Sequence, residues 1–292
     1  MSVSKLMLGT VQFGLDYGIN NHAGKVRVDE VASILKFAKE NKLSYLDSAE
    51  AYGNAHEVIG KTISNDQNFN IVSKYSASVV SLPDTMDERI EVILKDLNST
   101  SLYGYLFHSY SQFRTIEKGK LKELEKQKEE GKIKKIGVSV YTNEELEELI
   151  HNAFVELVQI PFNMLDNASK RKEIMEKAKT NGIEIHTRST FLQGLFFMNL
   201  DDLTGNLKGL RPYLELLNNL ASEQELSMNE LALQYALSKP YIDRVLIGVD
   251  SLDQLKSNIR AANSNIDKGL LEKIDDIRVQ EVELLNPANW KK

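Results

Sequence analysis

Four side chains in the first 108 residues carry proton chemistry. The run Leu46-Asp47-Ser48-Ala49-Glu50-Ala51-Tyr52-Gly53 sets an Asp and a Tyr five residues apart, where an apolar strand gives way to a glycine. Two further apolar runs end on basic residues: Phe69-Asn70-Ile71-Val72-Ser73 on Lys74, and Leu102-Tyr103-Gly104-Tyr105-Leu106-Phe107 on His108. A free tyrosine holds its proton with a pKa of roughly 10. A nearby ammonium favours the phenolate and lowers that value, and a carboxylate keeps the ammonium charged. The set predicts Tyr52 as an acid that protonates a carbonyl oxygen, with Lys74 tuning it and Asp47 holding Lys74 charged. His108 would donate a hydrogen bond that orients the carbonyl. Singly, each residue is commonplace, and a lone His is more often structural. The four in order at successive strand ends favour a site.

The elements that must position them are short apolar runs alternating with amphipathic ones. Strands are predicted at Leu6–Gly9, Leu43–Asp47, Asn70–Lys74, Leu102–His108, Lys134–Ser139, Val155–Ile160, Ile183–Thr187 and Arg244–Gly248. Most are near-continuous apolar runs, as in parallel strands buried on both faces. Helices are predicted at Glu30–Asn41 with Asp29 as N-cap, and at Asp84–Leu97, Thr115–Glu130, Thr142–His151, Ala168–Asn181 and Asn229–Ser238. Thr142-Asn143-Glu144-Glu145 reads as a capping box. Eight strands alternating with helices predict an α/β fold, a (β/α)₈ TIM barrel, as a single domain over residues 1–292. Active sites of such barrels lie at the C-terminal strand ends, where Asp47, Lys74 and His108 fall. Thr190–Gly209 is the longest stretch without periodicity, and a loop there would sit over that rim.

Composition narrows the chemistry. The net charge of −6 over 292 residues gives no bulk attraction to nucleic acid or anionic lipid, so neither is expected as a partner. There are no cysteines, which excludes disulfides, thiol catalysis and thiolate metal sites. Glu50, His56, His151 and His186 lack a metal-ligand spacing, so no metal is expected. Met1-Ser2-Val3-Ser4-Lys5 lacks the apolar core of a signal peptide, and no apolar run approaches a membrane span. The expected location is the cytoplasm.

These residues resemble the aldo-keto reductase family. Asp47-Ser48-Ala49-Glu50-Ala51-Tyr52-Gly53 is similar to the family's Asp-Thr-Ala-x-x-Tyr-Gly after its second strand, and Glu57-Val58-Ile59-Gly60 to the motif that follows. Lys74 and His108 match the ends of strands three and four. Leu8-Gly9-Thr10-Val11-Gln12-Phe13-Gly14 is similar to the family's first strand. The resemblance implies a catalytic tetrad of Asp47, Tyr52, Lys74 and His108, acting on a small-molecule carbonyl substrate. It implies NADP(H) or NAD(H) bound without a Rossmann fold, and no Gly-x-Gly-x-x-Gly occurs here. Ser139 and Gln159 would hold the nicotinamide carboxamide. Gly248, Ser251, Gln254 and Asn258 would form the phosphate- and adenosine-binding turn. Thr10, Arg188, Phe191 and Gly194 complete the implied cofactor contacts.

The chain also departs from the family pattern. Val140 follows Ser139 where Ser-Asn is usual. Arg188 stands where an aromatic would stack on nicotinamide; its guanidinium could stack there, bind an anionic substrate group, or form a rim salt bridge. Asp250 stands beside Gly248, where members that use NADPH carry Ser or a basic neighbour, and its carboxylate would repel a 2′-phosphate. Lys256 or Arg260 could compensate. The hairpin that caps the barrel bottom in many members has little room before Leu6. The segments around Phe13 and Phe191 resemble members of surface-sugar biosynthesis, which implies a sugar-derived carbonyl. Two other functions are compatible with the residues: a Schiff-base lyase using Lys74, and a non-catalytic nucleotide-sensing barrel. Tyr235 and Lys239 fit the Tyr-x3-Lys of short-chain dehydrogenases, but without that family's glycine-rich turn Tyr235 is expected to pack in a helix. Trp290 is expected over the barrel mouth or against a helix.

Overall fold

Runs rich in Leu, Ile and Val bury on both faces only when helices cover one side and a closed interior fills the other. A computed structural model describes residues 3–19, 21, 24–63 and 69–291; Met1 and Ser2 of the N-terminal run lie outside them. The strands are β1 (Leu6–Gly9), β2 (Tyr45–Asp47), β3 (Asn70–Tyr75), β4 (Leu102–Phe107), β5 (Ile133–Ser139), β6 (Leu157–Pro161), β7 (Glu184–Arg188) and β8 (Arg244–Gly248). They close in sequence order into a parallel barrel. The register sets Gly9 beside Asp47 and Gly248, Ser139 beside Gln159, and Pro161 beside Arg188.

Several strand ends differ from the expected ones because a neighbour takes the backbone group first. Leu43 N–H bonds the Ala38 carbonyl at the end of helix Val28–Glu40 and cannot join β2. Val155 N–H closes a turn onto Asn152, which delays β6 to Leu157. β3 continues past Lys74 to Tyr75, and β4 stops at Phe107, leaving His108 just beyond the ladder. Asp29 is not the N-cap. The helix begins at Val28 after Arg27, and Asp29 accepts instead from Arg27 at 3.1 Å. The Thr142–Glu145 capping box is present. Helices Ala55–Thr62, Arg211–Glu223, Leu252–Ala262 and Lys268–Asp275 complete the outer layer beyond those expected. Thr190–Gly209 contains three short 3₁₀ segments, Leu192–Phe197, Leu200–Asp202 and Gly205–Leu210.

Inside the barrel Met7, Val72, Leu106 and Leu157 form one apolar cluster, while a larger one lies between strands and helices. At the N-terminal end, the Glu184 carboxylate accepts from Tyr103 and Lys135 and pairs with His186 at 2.8 Å. Arg244 lies over the Tyr45 ring. This polar layer, with the Val3–Lys5 turn anchored through Lys5 to the Leu237 and Lys239 carbonyls, stands at the barrel bottom. Among the described residues no helix is long and apolar enough to cross a membrane.

Candidate active site

β2 ends on Asp47 and β3 places Lys74 beside it, so the two side chains meet at the C-terminal end of the barrel. Lys74 Nζ donates to Asp47 Oδ2 at 2.6 Å and to the Ser48 carbonyl at 2.9 Å. Both residues are almost fully buried. The other Asp47 oxygen accepts from Gln159 Nε2 at 2.8 Å, and the Asp47 carbonyl accepts from Thr10 Oγ1 at 2.9 Å. The Lys74 ammonium lies 5.1 Å from the centre of the Tyr52 ring. The rings of Tyr52 and His108 meet edge to face, 5.8 Å apart. The structure thus brings Asp47, Tyr52, Lys74 and His108 together.

The loop that carries Tyr52 is held from two sides. Gly14 packs under it so closely that an added Cβ would lie 1.7 Å from the Tyr52 carbonyl oxygen. Glu50, in the same loop, accepts from Arg89 Nη1 at 2.6 Å, from Ser76 N–H at 2.9 Å, and from the Tyr105 hydroxyl. His56 and Ser73 share a hydrogen bond of 2.9 Å behind β3.

Tyr52 keeps part of its surface open to the cavity, but burial, then the Asp47 carboxylate, push its phenol well above the ordinary value, with the Arg188 charge opposing them. Asp47 and the Ser48 carbonyl take two of the three Lys74 N–H groups. Tyr52 therefore carries its proton throughout the neutral range, the state in which it can donate. Burial lowers the Lys74 ammonium, and Asp47 opposes that shift. Burial and then the Lys74 charge bring the His108 imidazole down to about 4, so His108 is neutral near pH 7 and can donate from one ring nitrogen only.

A cavity of about 580 Å³ opens over these groups. Thr10, Asp47, Tyr52, His108, Ser139, Gln159, Arg188, Phe191, Gly194, Gly248, Gln254 and Asn258 all line it. Lys74 stands behind Asp47. Ser251 is not on the wall; its hydroxyl caps helix Leu252–Ala262 by accepting from Gln254 N–H at 3.2 Å. Gln159 faces Asp47, which uses one amide N–H expected for the carboxamide.

The residues present fit a dinucleotide. Gln12 Oε1, on a cavity residue, is buried and among the described residues has no hydrogen-bond partner. Buried polar atoms of that kind are satisfied by a ligand or by water. At Gly248 an added Cβ would lie 2.8 Å from Gln12 Nε2, so the Gln12 amide packs directly against this glycine. Residues 192 to 194 all have positive φ: Leu192 46°, Gln193 53° and Gly194 92°. Among the described residues no group of His, Asp and Glu could hold a metal ion.

Gln12, Tyr17, Tyr141, Asn229 and Phe197 also line the cavity and escaped sequence reasoning. The signal was weak: Tyr17, Tyr141 and Phe197 are large apolar residues left exposed, which no periodicity marks. Two other expectations resolve structurally. Tyr235 packs in helix Met228–Leu237, bonded with Lys239 to Asp275. Trp290 donates to the Leu284 carbonyl and is not part of the cavity wall.

Residues 5–279 match the family model described as the aldo/keto reductase family. Oxidoreductase YqkF of Bacillus subtilis is 24% identical over 285 residues, covering 90% of this chain and 89% of that one. The NADH-specific methylglyoxal reductase of Escherichia coli is 23% identical over 200 residues, 63% of this chain and 61% of that one. Among solved structures, aldo-keto reductase AKR11C1 from Bacillus halodurans in its holo form superposes with a TM-score of 0.77 at 19% identity, covering 95% of this chain and 94% of that one. That likeness speaks to the fold.

Proposed function

The chain belongs to the aldo-keto reductase family and is an NAD(P)H-dependent oxidoreductase; from that premise we propose that it reduces a small, sugar-like carbonyl compound with NADH, Tyr52 being the proton donor. The observation that carries this reading is the contact of the buried Asp47–Lys74 pair with the Tyr52 ring, beside His108.

A nicotinamide held there would supply a hydride to the carbonyl carbon. Tyr52 Oη gives its proton to the carbonyl oxygen, so the C=O becomes an alcohol, and the phenol recovers its proton from solvent. As the proton leaves, negative charge grows on Oη, and the third N–H of Lys74 is the one left to receive it. Asp47 and Ser48 keep that ammonium in place and charged. His108, neutral, donates to the carbonyl oxygen and fixes its orientation. Ser139 and Gln159 orient the nicotinamide amide, and the cavity walls hold the reactants together away from water.

Three features support NADH over NADPH. Asp250 places a carboxylate on the cavity wall, held by Gln254 and Gln12, suited to a free ribose hydroxyl and repelling a phosphate. Among the described residues no lysine or arginine lines the wall near Gly248, Gln254 and Asn258. Lys256, on the same helix, is engaged by Asp253 at 3.0 Å. The name of the E. coli relative points the same way. A Schiff base on Lys74 is disfavoured, since an ammonium paired with Asp47 and bonded to the Ser48 carbonyl is no nucleophile.

The test is titration with NADH and NADPH followed by reduction of a carbonyl panel, with Tyr52→Phe as control. Binding of NADH and turnover that needs Tyr52 support the reading. If neither dinucleotide binds, it fails.

A further inference from the structure

Arg188 ends β7 and reaches the wall of the same cavity. Its guanidinium carbon lies 4.0 Å from the centre of the Tyr141 ring, and Nη2 donates to the Val140 carbonyl at 3.2 Å. Among the described residues that carbonyl is its one acceptor, and no carboxylate pairs with it. The two buried arginines behave otherwise: Arg89 pairs with Glu50 and Arg171 with Asp166. A guanidinium carries five N–H donors, so most of this fork has no protein partner. Among the described residues on the cavity wall, Arg188 is the single lysine or arginine.

The mount is built and rigid. The carbonyl of Tyr141 accepts from Arg171 Nη2 at 2.8 Å, and Arg171 is 2% exposed. Arg171 in turn grips both oxygens of Asp166, at 2.8 and 2.7 Å, and Asn143 Oδ1 at 2.7 Å. Ser189, with φ of 64°, offers its carbonyl to Asn163 Nδ2 at 3.2 Å. The loops after β5, β6 and β7 are thus tied together around one stacked cation. Its charge opposes the burial-driven rise of the Tyr52 and Tyr17 phenols and adds to the lowering of His108, so it stands within electrostatic reach of the proton donor. A half-buried cation without a counter-charge is costly, and an anionic ligand removes that cost.

We propose that Arg188 is the anion-recognition residue of the substrate site, binding a carboxylate or phosphate of the carbonyl compound while its C=O faces Tyr52 and His108. Stacking on Tyr141 uses the face of the guanidinium and leaves the planar fork for two parallel N–H···O bonds, the geometry that suits both anions. The proposal rests on the carbonyl-reductase reading above and adds the substrate class.

The experiment compares wild type, Arg188→Met and Arg188→Lys with NADH on two matched pairs. These are succinic semialdehyde against butanal for the carboxylate, and glyceraldehyde 3-phosphate against glyceraldehyde for the phosphate. In the wild type the anionic member of at least one pair is preferred. In Arg188→Met the anionic-to-neutral ratio of kcat/KM falls about 100-fold for that pair, and Arg188→Lys restores part of it. The pair that responds identifies the anion. Calorimetric titration of the NADH-loaded protein with succinate and with inorganic phosphate gives binding that Arg188→Met abolishes. Unchanged ratios, with no Arg188-dependent anion binding, overturn the proposal. So does an equal loss on both members together with a weakened NADH Kd, which would assign Arg188 to the cofactor. If neither dinucleotide binds and none of the four carbonyls is reduced, yet succinate or phosphate binds through Arg188, the anion site stands and the reductase reading falls.

Discussion

Replacing Asp47 by Asn removes the carboxylate that pairs with a lysine that is 1% exposed. The substitution is nearly isosteric, so it keeps the contacts from Gln159 and Thr10 and isolates the charge. Breaking a buried ion pair by deleting one partner costs about 3–5 kcal/mol, because the surviving charge is left without compensation. For a chain of this size about 1 kcal/mol moves the melting temperature by roughly 2 °C, so Asp47→Asn is predicted to melt about 6–10 °C below wild type at pH 7. The pH dependence is more specific. Burial already lowers Lys74, and Asp47 is the largest influence raising it. Without Asp47 the folded-state value drops further below the unfolded one. Between those two values the unfolded chain binds more protons than the folded chain, so stability rises with pH there. The deficit of Asp47→Asn is therefore largest near neutrality and narrows toward pH 10. Adding Lys74→Met removes the stranded cation and recovers much of the loss. Thermal melts by circular dichroism from pH 6 to 10 read all three effects. A variant that melts with wild type at pH 7, or a deficit that stays constant with pH, would refute the claim that Asp47 holds Lys74 as an ammonium.

Asp250→Ser is expected to shift the NADH-to-NADPH affinity ratio toward NADPH by about tenfold or more, equivalent to about 1.4 kcal/mol; fluorescence titration with each cofactor checks it, and an unmoved ratio removes Asp250 from cofactor choice. Gly14→Ala sets a Cβ against the Tyr52 backbone. A loss of about 3 kcal/mol or more, with impaired turnover, is predicted from that overlap and is read by chemical denaturation. His108 and His56 both titrate at about 4 when folded, below the unfolded value near ~6.5. Both therefore favour unfolding as pH falls from about 6.5 through 4. His108→Gln is predicted to flatten that acid-side decline, as measured by urea denaturation against pH.

The site was legible in the sequence to the extent that it follows from strand ends. Asp47 ends its ladder, Lys74 stands one residue before the end of its own and His108 one residue after, and parallel strands in a barrel bring successive ends together whatever the helices do. What the chain order does not disclose is pairing at long separation. Glu50 meets Arg89 and Tyr105, and Arg171 reaches back to the loop of Tyr141; these partners share no period or motif. The Asp29 cap failed for a local reason, since Arg27 captures the carboxylate that would have capped. Adjacency to a lysine is visible in a motif, but burial is not, and burial is the largest influence on the Tyr52 phenol, raising it.

The central claim is that Tyr52 gives the proton that accompanies hydride transfer, and its most direct test is single-turnover oxidation of bound NADH by a reducible carbonyl in wild type and Tyr52→Phe. The account predicts equal NADH affinity and a rate about 100-fold or more slower in the variant, as expected for loss of a general acid. A Tyr52→Phe protein that binds NADH and oxidises it at the wild-type rate would contradict it.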